Sequence, residues 1–584
     1  VAEVRAGEID DADFDYAVVG GGSAGCVLAG RLSAAGHRVL LVEAGPDMPA
    51  GREPDDIRDA DPMRAYANPR YKWNDLRVRL RGVPGEAPSR YEQARVLGGG
   101  SSINAQVANR GAPADYDALA AAGAAGWAWD DVLPYFRALE HDLDFDGPIH
   151  GRGGPLPVTR LFPPCWSAFV QAVGGALADR GLAYIADLND GFADGYGPVP
   201  TTAILGRRMS TAMGYLGATA RQRANLAVLC DARARTIRFD GRRAVGVVID
   251  TAAGRRTVVA RETVLACGAL HTPAMLMRSG IGPGRHLADL GIAIVAASGG
   301  VGANLRCHGF VSLAAYLPRH ARLNAPNDRF NQLAARFSSG LAGCPPADMY
   351  LSVSARSGWH AVGRRLGALQ VWPNASYSQG CVRLASPDAE TPPQVALNLA
   401  SDARDLERLK IAFRFVAGLF ATDPVQRAAR DPFAASYSDR AKRVGQPTLL
   451  NRAKTRPVAA LLDGPGALRR LAIRTVVMRG PTLAQLLADD ALLEDHIRRT
   501  VGGTGHVCGT ARMGRADDPA AVTDPAGRVR GVFGLSVGDA SLMPDLPRAN
   551  TNVPTVMIAE KIAAGLISQA AHVPLRVAHG ALGA

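Results

Sequence analysis

Gly20-Gly21-Gly22-Ser23-Ala24-Gly25 has the spacing G-x-G-x-x-G, and eighteen residues after Gly25 stands a single acid, Glu43. Glycines so spaced can hold a pyrophosphate on backbone N–H groups; the other reading is an ordinary turn between strand and helix. Gly20 allows the tight turn, Gly22 lets the backbone approach the phosphates, and Gly25 permits close packing of helix on sheet. Ser23 opens the helix whose amino end faces the anion, and Glu43 can accept from a ribose diol. An acid there disfavours a 2′-phosphate, so NADP fits poorly. The motif alone leaves NAD and FAD open.

The elements needed to position these residues are present. FDYAVV (14–19) reads as a strand, CVLAGRLSAAG as a helix ending at Gly36, and Val39 to Val42 as a second strand with Glu43 at its end. A second cluster, Arg95-Val96-Leu97-Gly98-Gly99-Gly100-Ser101-Ser102-Ile103-Asn104, offers small residues whose N–H groups could form a nest for the pyrophosphate or line a flavin face. Its other reading is a flexible glycine loop. TVLACG (263–268) is strand-like and leads into a helix with Pro273 in its first turns, and Asp240-Gly241 marks a hairpin. Near the end, a strand, a polar loop and a long helix with Pro554 near its start place Asn550, Thr551 and Asn552 where they can meet an electron-rich cofactor edge. Asp539 follows a glycine in the same block.

The 584 residues exceed a single core, so at least two domains are expected. With 47% hydrophobic and 21% charged residues the chain reads as an ordinary globular protein. No stretch approaches the roughly 18 apolar residues of a membrane span. The amino terminus VAEVRAGEIDDADFDY lacks the basic and apolar regions of a secretory signal, so a cytoplasmic location is the default expectation. Eight scattered cysteines without a CxxC argue against a disulfide framework or structural zinc. Net charge is +12, but the arginines are spread and not interleaved with aromatics, so no specific nucleic-acid partner is expected. No two histidines have i, i+4 spacing, and no metal is expected.

Several separated blocks resemble the glucose–methanol–choline (GMC) family of FAD oxidoreductases: FDYAVVGGGSAG, ARVLGGGSSINAQVANRG with the following DYD, RETVLACGALHTPAMLMRSGIG, GANLRCH, HVCGTARMG, VRGVFGLSVGDASLMP and ANTNVPTVMIAEKIA. The likeness runs from Phe14 to about Ala570. Within the family it resembles bacterial 5-hydroxymethylfurfural oxidase-like aryl-alcohol oxidases, in YEQARVLGGGSSINAQVANRGAPADYD, GWAWDDVLPYF, VGGTGH and LPRANTNVPT. The resemblance implies an α/β architecture. A discontinuous Rossmann-like FAD-binding domain would use 14–160, 225–310 and 500–575. An α+β substrate domain with a large antiparallel sheet and flanking helices would use 161–224 and 311–499. Segment 451–485, with Pro457 and Asp463-Gly464-Pro465-Gly466, reads as surface loop mixed with short helix, near the entrance or at a subunit contact.

By the same resemblance the catalytic histidine falls on His506 and its partner on Asn552. Oxidising an alcohol removes a hydroxyl proton and a carbon-bound hydride, and an imidazole with a pKa of about 6.5 suits the proton. The asparagine would orient the substrate oxygen and donate to the developing alkoxide. The cofactor set comprises Gly20, Gly22, Ser23, Gly25, Glu43, Arg95, Gly99, Gly100, Ser101, Asn104, Ala234, Asp539, Ala540, Asn550 and Thr551. FAD is expected to be noncovalent, because Ser102-Ile103-Asn104 stand where some relatives carry a linking histidine. His271, His308 and His496 read as structural or surface residues. Cys307 replaces an acid common before the histidine of that block, which argues against a local pairing for His308.

Thr504 and Gly505 precede the base, where furfural-type relatives carry a bulky aromatic. Either the pocket is open there and takes bulkier alcohols, including ones with a second polar substituent, or Trp372 or a loop from 440–485 fills the space and Gly505 supplies a backbone angle. The activity implied is oxidation of a primary aromatic, furanic or allylic alcohol to an aldehyde, with O₂ reduced to H₂O₂. Alternatives are a dehydrogenase using a quinone or other acceptor, a hydroxynitrile lyase, and a noncatalytic flavin-binding module.

Overall fold

The computed structural model describes residues 14–83, 85–323, 329–478 and 480–572. Residues 1–13, on which the cytoplasmic expectation rests, lie outside them. Among the described residues no helix is long and apolar enough to cross a membrane.

The fingerprint folds as its residues require. β1 (Phe14–Val19) and β2 (Val39–Val42) are apolar β-formers buried almost throughout, and α1 (Ser23–Ala34) connects them as a parallel crossover. They belong to a seven-stranded sheet in the order 226–229, β2, β1, 254–265, 243–251, 233–240. The strand Gly254–Leu265 serves two halves of this sheet. Its first part pairs antiparallel in a meander through the Asp240-Gly241 turn, and its last part pairs in parallel with β1 and with Leu535–Val537. Chain from three distant stretches thus builds one sheet, whose strand ends converge on the glycine turn. The final helix, α2 (Asn552–His572), packs along α1.

A second sheet has eight strands. Its central four are β3 (Gly309–Tyr316), β4 (Asn331–Phe337), β5 (Met349–Ser354) and β6 (Leu366–Pro373), in the spatial order β3-β6-β5-β4. Pairing is antiparallel except at one edge, where Ala183–Tyr184 runs parallel to Gly195–Pro198. Leu313, Leu351, Val353, Leu369 and Val371 point to the back face and are fully buried, and the helices Ala403–Phe420 and Ala168–Ala178 cover that face. Alternation sends Ser312, Ser352, Gln370 and Trp372 to the front, where they line a cavity shared with the first sheet. Gly502–Gly503, from the stretch expected in the cofactor domain, pairs with the start of β3 and so joins this second sheet.

The expectation of loop mixed with short helix for 451–485 is corrected. Leu449–Asp463 is a fifteen-residue helix, followed by Gly466–Ala472 and a π-turn over Ile473–Val477. The Thr448 hydroxyl caps the first helix by accepting from the Asn451 N–H (3.1 Å). Pro457 removes one backbone donor on an exposed face, while Thr455, Ala459 and Leu462 form the buried stripe that holds the helix in place. Asp463 ties its end down by ion pairs to Arg322 and Arg365 (2.5 and 2.7 Å). Lys454, Val458 and Val477 line the cavity, so this helical arm forms part of its wall.

Candidate active site

His506 is positioned by a short antiparallel pairing. Arg306 and Cys508 exchange backbone hydrogen bonds (3.0 and 3.1 Å), and the Thr504 N–H donates to the carbonyl of His308 (3.1 Å). That register sets His308 directly opposite His506, on the same face. Their rings meet edge to face, with Nδ1 of each 2.9 Å apart. Of the two readings of His308, structural or surface, the surface one is therefore corrected: the residue is fully buried and lies against His506. Cys307 turns the other way, toward Thr504, so the missing acid does not affect this pairing.

The protons along this file follow from its far end. Nε2 of His308 lies 2.9 Å from the carbonyl of Asn374, which can only accept, so that nitrogen carries the proton. Burial pushes the pKa of His308 down to about 4, so the ring is neutral and its Nδ1 is a bare acceptor. His506 must then donate from Nδ1, which leaves its Nε2 as the acceptor. Burial, and next the neighbouring His308, hold the pKa of His506 well below 6.5. Asn550 donates from Nδ2 to that Nε2 (3.0 Å). Its own Oδ1 accepts from Asn109, whose Nδ2 also donates to the Tyr350 hydroxyl (3.1 and 2.9 Å).

Asn552, the expected partner of the base, does not reach it. Its Oδ1 accepts from the Ser23 hydroxyl (2.8 Å), because residue 552 already begins α2 and faces the start of α1. Asn550 lies two residues earlier, on the extended loop, and takes the place beside His506. Thr504 is spent on the carbonyl of His308, also through its hydroxyl (3.2 Å). Gly505 has φ +86° and nothing within 4 Å of where a Cβ would stand, so it supplies the backbone angle and also leaves open space. Trp372 packs on Tyr350 (4.8 Å between ring centroids) and lies 6.2 Å from the His506 ring.

One cavity of about 1220 Å³ takes in this site and the glycine turn, larger than the ~300–1,000 Å³ of usual small-molecule sites. Gly20, Gly22, Ser23, Glu43, Gly99, Gly100, Asn104, Ala234, Asp539, Ala540, Asn550, Thr551 and Asn552 all line it. A Cβ on Gly99 would stand 2.7 Å from Cα of Gly22, so the two glycine turns touch and jointly wall the cleft. Gly22 gives α1 no side-chain cap, leaving its first N–H groups for an anion. Glu43 is buried, which raises its pKa. Its two oxygens accept from the N–H groups of Gly21 and Gly45 (2.8 and 2.7 Å), and each keeps a lone pair for a diol.

Three expected cofactor residues do not line the cavity and act behind it. Gly25 is required for packing, since a Cβ there would stand 1.8 Å from the carbonyl oxygen of Gly20. The Ser101 hydroxyl braces the second glycine turn by donating to the Gly98 carbonyl (2.6 Å). Arg95 donates to the Ala44 carbonyl (2.9 Å) and lies over Trp73, 5.2 Å from its centroid. Asp539 accepts from the Gly268 N–H and the Thr272 hydroxyl (2.7 and 2.6 Å), fixing the helix that starts there. His271, read as structural or surface, stacks on Trp73 in the cavity wall (4.7 Å between centroids). Burial pushes its pKa down to about 3 and leaves it neutral.

A cleft walled by two glycine turns thus opens onto a buried, neutral histidine, an arrangement that suits a dinucleotide cofactor beside a proton acceptor. The chain belongs to the GMC oxidoreductase family, which it matches over residues 14–310 and 376–559. It is 42% identical to the 5-(hydroxymethyl)furfural oxidase of Methylovorus sp. (strain MP688), over 96% of this chain and 100% of that one. It is 32% identical to an oxygen-dependent choline dehydrogenase of Rhizobium johnstonii, over 94% of each. Among solved structures, pyridoxine 4-oxidase from Mesorbium loti matches with a TM-score of 0.78 at 28% identity, over 94% and 98% of the two chains. The protein is accordingly an FAD-dependent oxidoreductase acting on CH–OH substrates, and the cleft fits that cofactor: paired glycine turns, an uncapped helix start, and an acid with free lone pairs.

Proposed function

We propose that the protein oxidises a primary aromatic, furanic or allylic alcohol to its aldehyde, with FAD held noncovalently and O₂ reduced to H₂O₂. The observation that carries this is the His506 tautomer: a buried, neutral imidazole whose Nδ1–H is committed to His308 and whose Nε2 faces the cavity. Bound FAD supplies the acceptor for a hydride. His506 Nε2 takes the hydroxyl proton as the C–H bond of the carbinol breaks, and Asn550 Nδ2 is placed to donate to the substrate oxygen as it gains charge. His308 is a positioning residue that fixes the tautomer. Two electrons and two protons leave each alcohol, the number that turns one O₂ into H₂O₂.

Aryl character is supported by Trp372, Tyr350 and Phe310 in the cavity wall and by the likeness to the Methylovorus furfural oxidase. Oxygen as acceptor is supported by the likeness to that oxidase and to the oxygen-dependent choline dehydrogenase. Noncovalent attachment is supported by Ser102, Ile103 and Asn104, none of which is a linking histidine. The test is a panel of benzylic, furanic, aliphatic and polyol alcohols assayed under air for peroxide, then with a dye acceptor. Peroxide in step with benzylic or furanic aldehyde is expected; turnover with the dye alone contradicts the oxidase reading. The flavin should leave with the supernatant on acid precipitation, and yellow colour retained on the polypeptide contradicts noncovalent binding.

A further inference from the structure

The helix Leu449–Asp463 presents three faces. Asn451, Thr455 and Val458 turn toward the main cavity, on the side where the helix is packed down. Leu449, Arg452 and Arg456 line a second cavity, of about 930 Å³, on its other flank. At about 100° per residue, the positions that point away from both are Leu450, Ala453, Pro457, Ala460 and Leu461. All five are exposed and none is polar; Leu450 is 60% and Leu461 45% open to solvent. The next helix, Gly466–Ala472, packs beside it and adds Leu468 and Leu471, 46% and 58% exposed. The inner stripe already holds the arm to the fold, so an apolar outer stripe has no part in folding and marks a contact with something else.

The charge beside this stripe is of one sign. Residues 449–477 contain six basic residues and one acid, Asp463, which Arg322 and Arg365 already hold. Among the described residues Arg452, Lys454, Arg456 and Arg474 make no ion pair. The second cavity repeats the pattern, with seven arginines in its wall against Asp59 and Asp61. Asp61 is matched by Arg356 (2.7 Å), while Arg64 and Arg364 make no ion pair among the described residues. Four uncompensated guanidinium groups, those of Arg64, Arg364, Arg452 and Arg456, thus line one hollow next to exposed leucines.

That single sign decides between occupants. In a two-fold contact between copies the basic flank would meet its own like, and repulsion would oppose the apolar contact. A nucleic acid would match the arginines and leave the leucines in water. An anionic bilayer surface matches both, since acyl chains meet leucines while phosphates take guanidinium groups two hydrogen bonds at a time. We propose that the helix Leu449–Asp463 docks the protein on an anionic phospholipid surface. The stripe from Leu450 to Leu461 lies among the acyl chains, and the arginine-lined hollow holds headgroup phosphates. The helix then lies in the plane of the interface, and the wall it gives the main cavity stands at the membrane.

The test is flotation of the holoenzyme with vesicles of phosphatidylcholine alone, or of phosphatidylcholine and phosphatidylglycerol in equal parts. Partitioning onto the mixed vesicles should exceed that onto the neutral ones at least ~10-fold and weaken as salt is raised. Leu450→Ser/Leu461→Ser should lower it at least ~10-fold. Arg452→Gln/Arg456→Gln should lower it about 10-fold or more on the mixed vesicles alone. Both variants change exposed side chains, so Tm and flavin content should stay at parent values and separate lost docking from lost folding. Failure to float with mixed vesicles, equal flotation with both kinds, or variants that float like the parent overturns the surface. A dimer that forms with rising concentration in the absence of lipid, and is lost in the leucine variant, gives this face to a second copy and overturns it equally.

Discussion

His506 is held from both sides, and the two contacts do different work. His308 fixes the proton on Nδ1, and Asn550 marks the direction from which Nε2 is reached. Asn550→Ala should therefore slow anaerobic flavin reduction by roughly 10–10²-fold, while Asn552→Ala, which only unties Ser23, should change it far less and weaken FAD retention instead. Single-turnover rates and the flavin-to-protein ratio of the two variants check this, and a reversed order would return the role to Asn552. The pH dependence follows from the lowered pKa of His506. A general base works unprotonated, so activity falls as pH drops through the pKa of the group, and here that limb lies below 6.5. The reduction rate should be level from pH 6.5 to about 9; a limb centred near 7 or above contradicts the assignment of the neutral base. His308→Phe should raise KM little but lower kcat and bring a new limb into that range, because the tautomer is no longer imposed.

At the scale of elements, the turn 502–506 sets where His506 stands in the cavity wall. Gly505 sits at φ +86°, so any side chain there carries a strain of about 1–2 kcal/mol, yet the space beyond is open. Gly505→Trp should lower Tm and reduce kcat/KM for a bulky alcohol such as 2-naphthalenemethanol at least ~10-fold more than for benzyl alcohol. Equal losses on both substrates would mean that residue 505 acts through the backbone of His506. Local patterns carried β1, α1, β2, the Asp240-Gly241 hairpin and the start of α2 into the sequence reading, since each is written in a short run of residues. The His308–His506 contact was not legible, for it joins positions 198 apart through a two-strand register that no local spacing encodes. Its one signal was that GANLRCH lies in a block shared with the family. Asn550 and Asn552 both fell in the right loop, and only the point where the helix begins separates them. In the 451–485 arm, proline and glycine signals outweighed the buried stripe of Thr455, Ala459 and Leu462.

On the scale of the whole molecule, a buried charge network links the amino-terminal half of the chain to the second sheet. His150 contacts Glu140, Asp142 and Asp187 (3.1, 3.2 and 2.9 Å), Arg160 pairs with Asp142 and Asp187 (2.9 and 2.6 Å), and Arg110 with Glu140. Glu140, Asp142 and His150 converge closely enough to hold a cation, but three carboxylates are already matched by two guanidiniums and an imidazolium. Burial works against charge on His150, and the hydrogen bonds to Asp142 and Asp187 overcome it, so its pKa is raised. A raised folded-state pKa gives stability that is full below 6.5 and is lost as pH rises through the folded value. The Tm of the holoenzyme should fall between pH 6 and about 8.5, and His150→Gln should abolish that fall at a cost of about 3 kcal/mol; an unchanged slope in the variant would contradict it. The function of the whole assembly, cofactor cleft and base together, is tested most directly by anaerobic stopped-flow reduction of the intact holoenzyme with a benzylic alcohol, in the parent and in His506→Ala. The parent flavin should bleach in a single turnover, and the variant, with FAD still bound, should bleach at least ~10²-fold more slowly. An undiminished rate in His506→Ala would contradict the account.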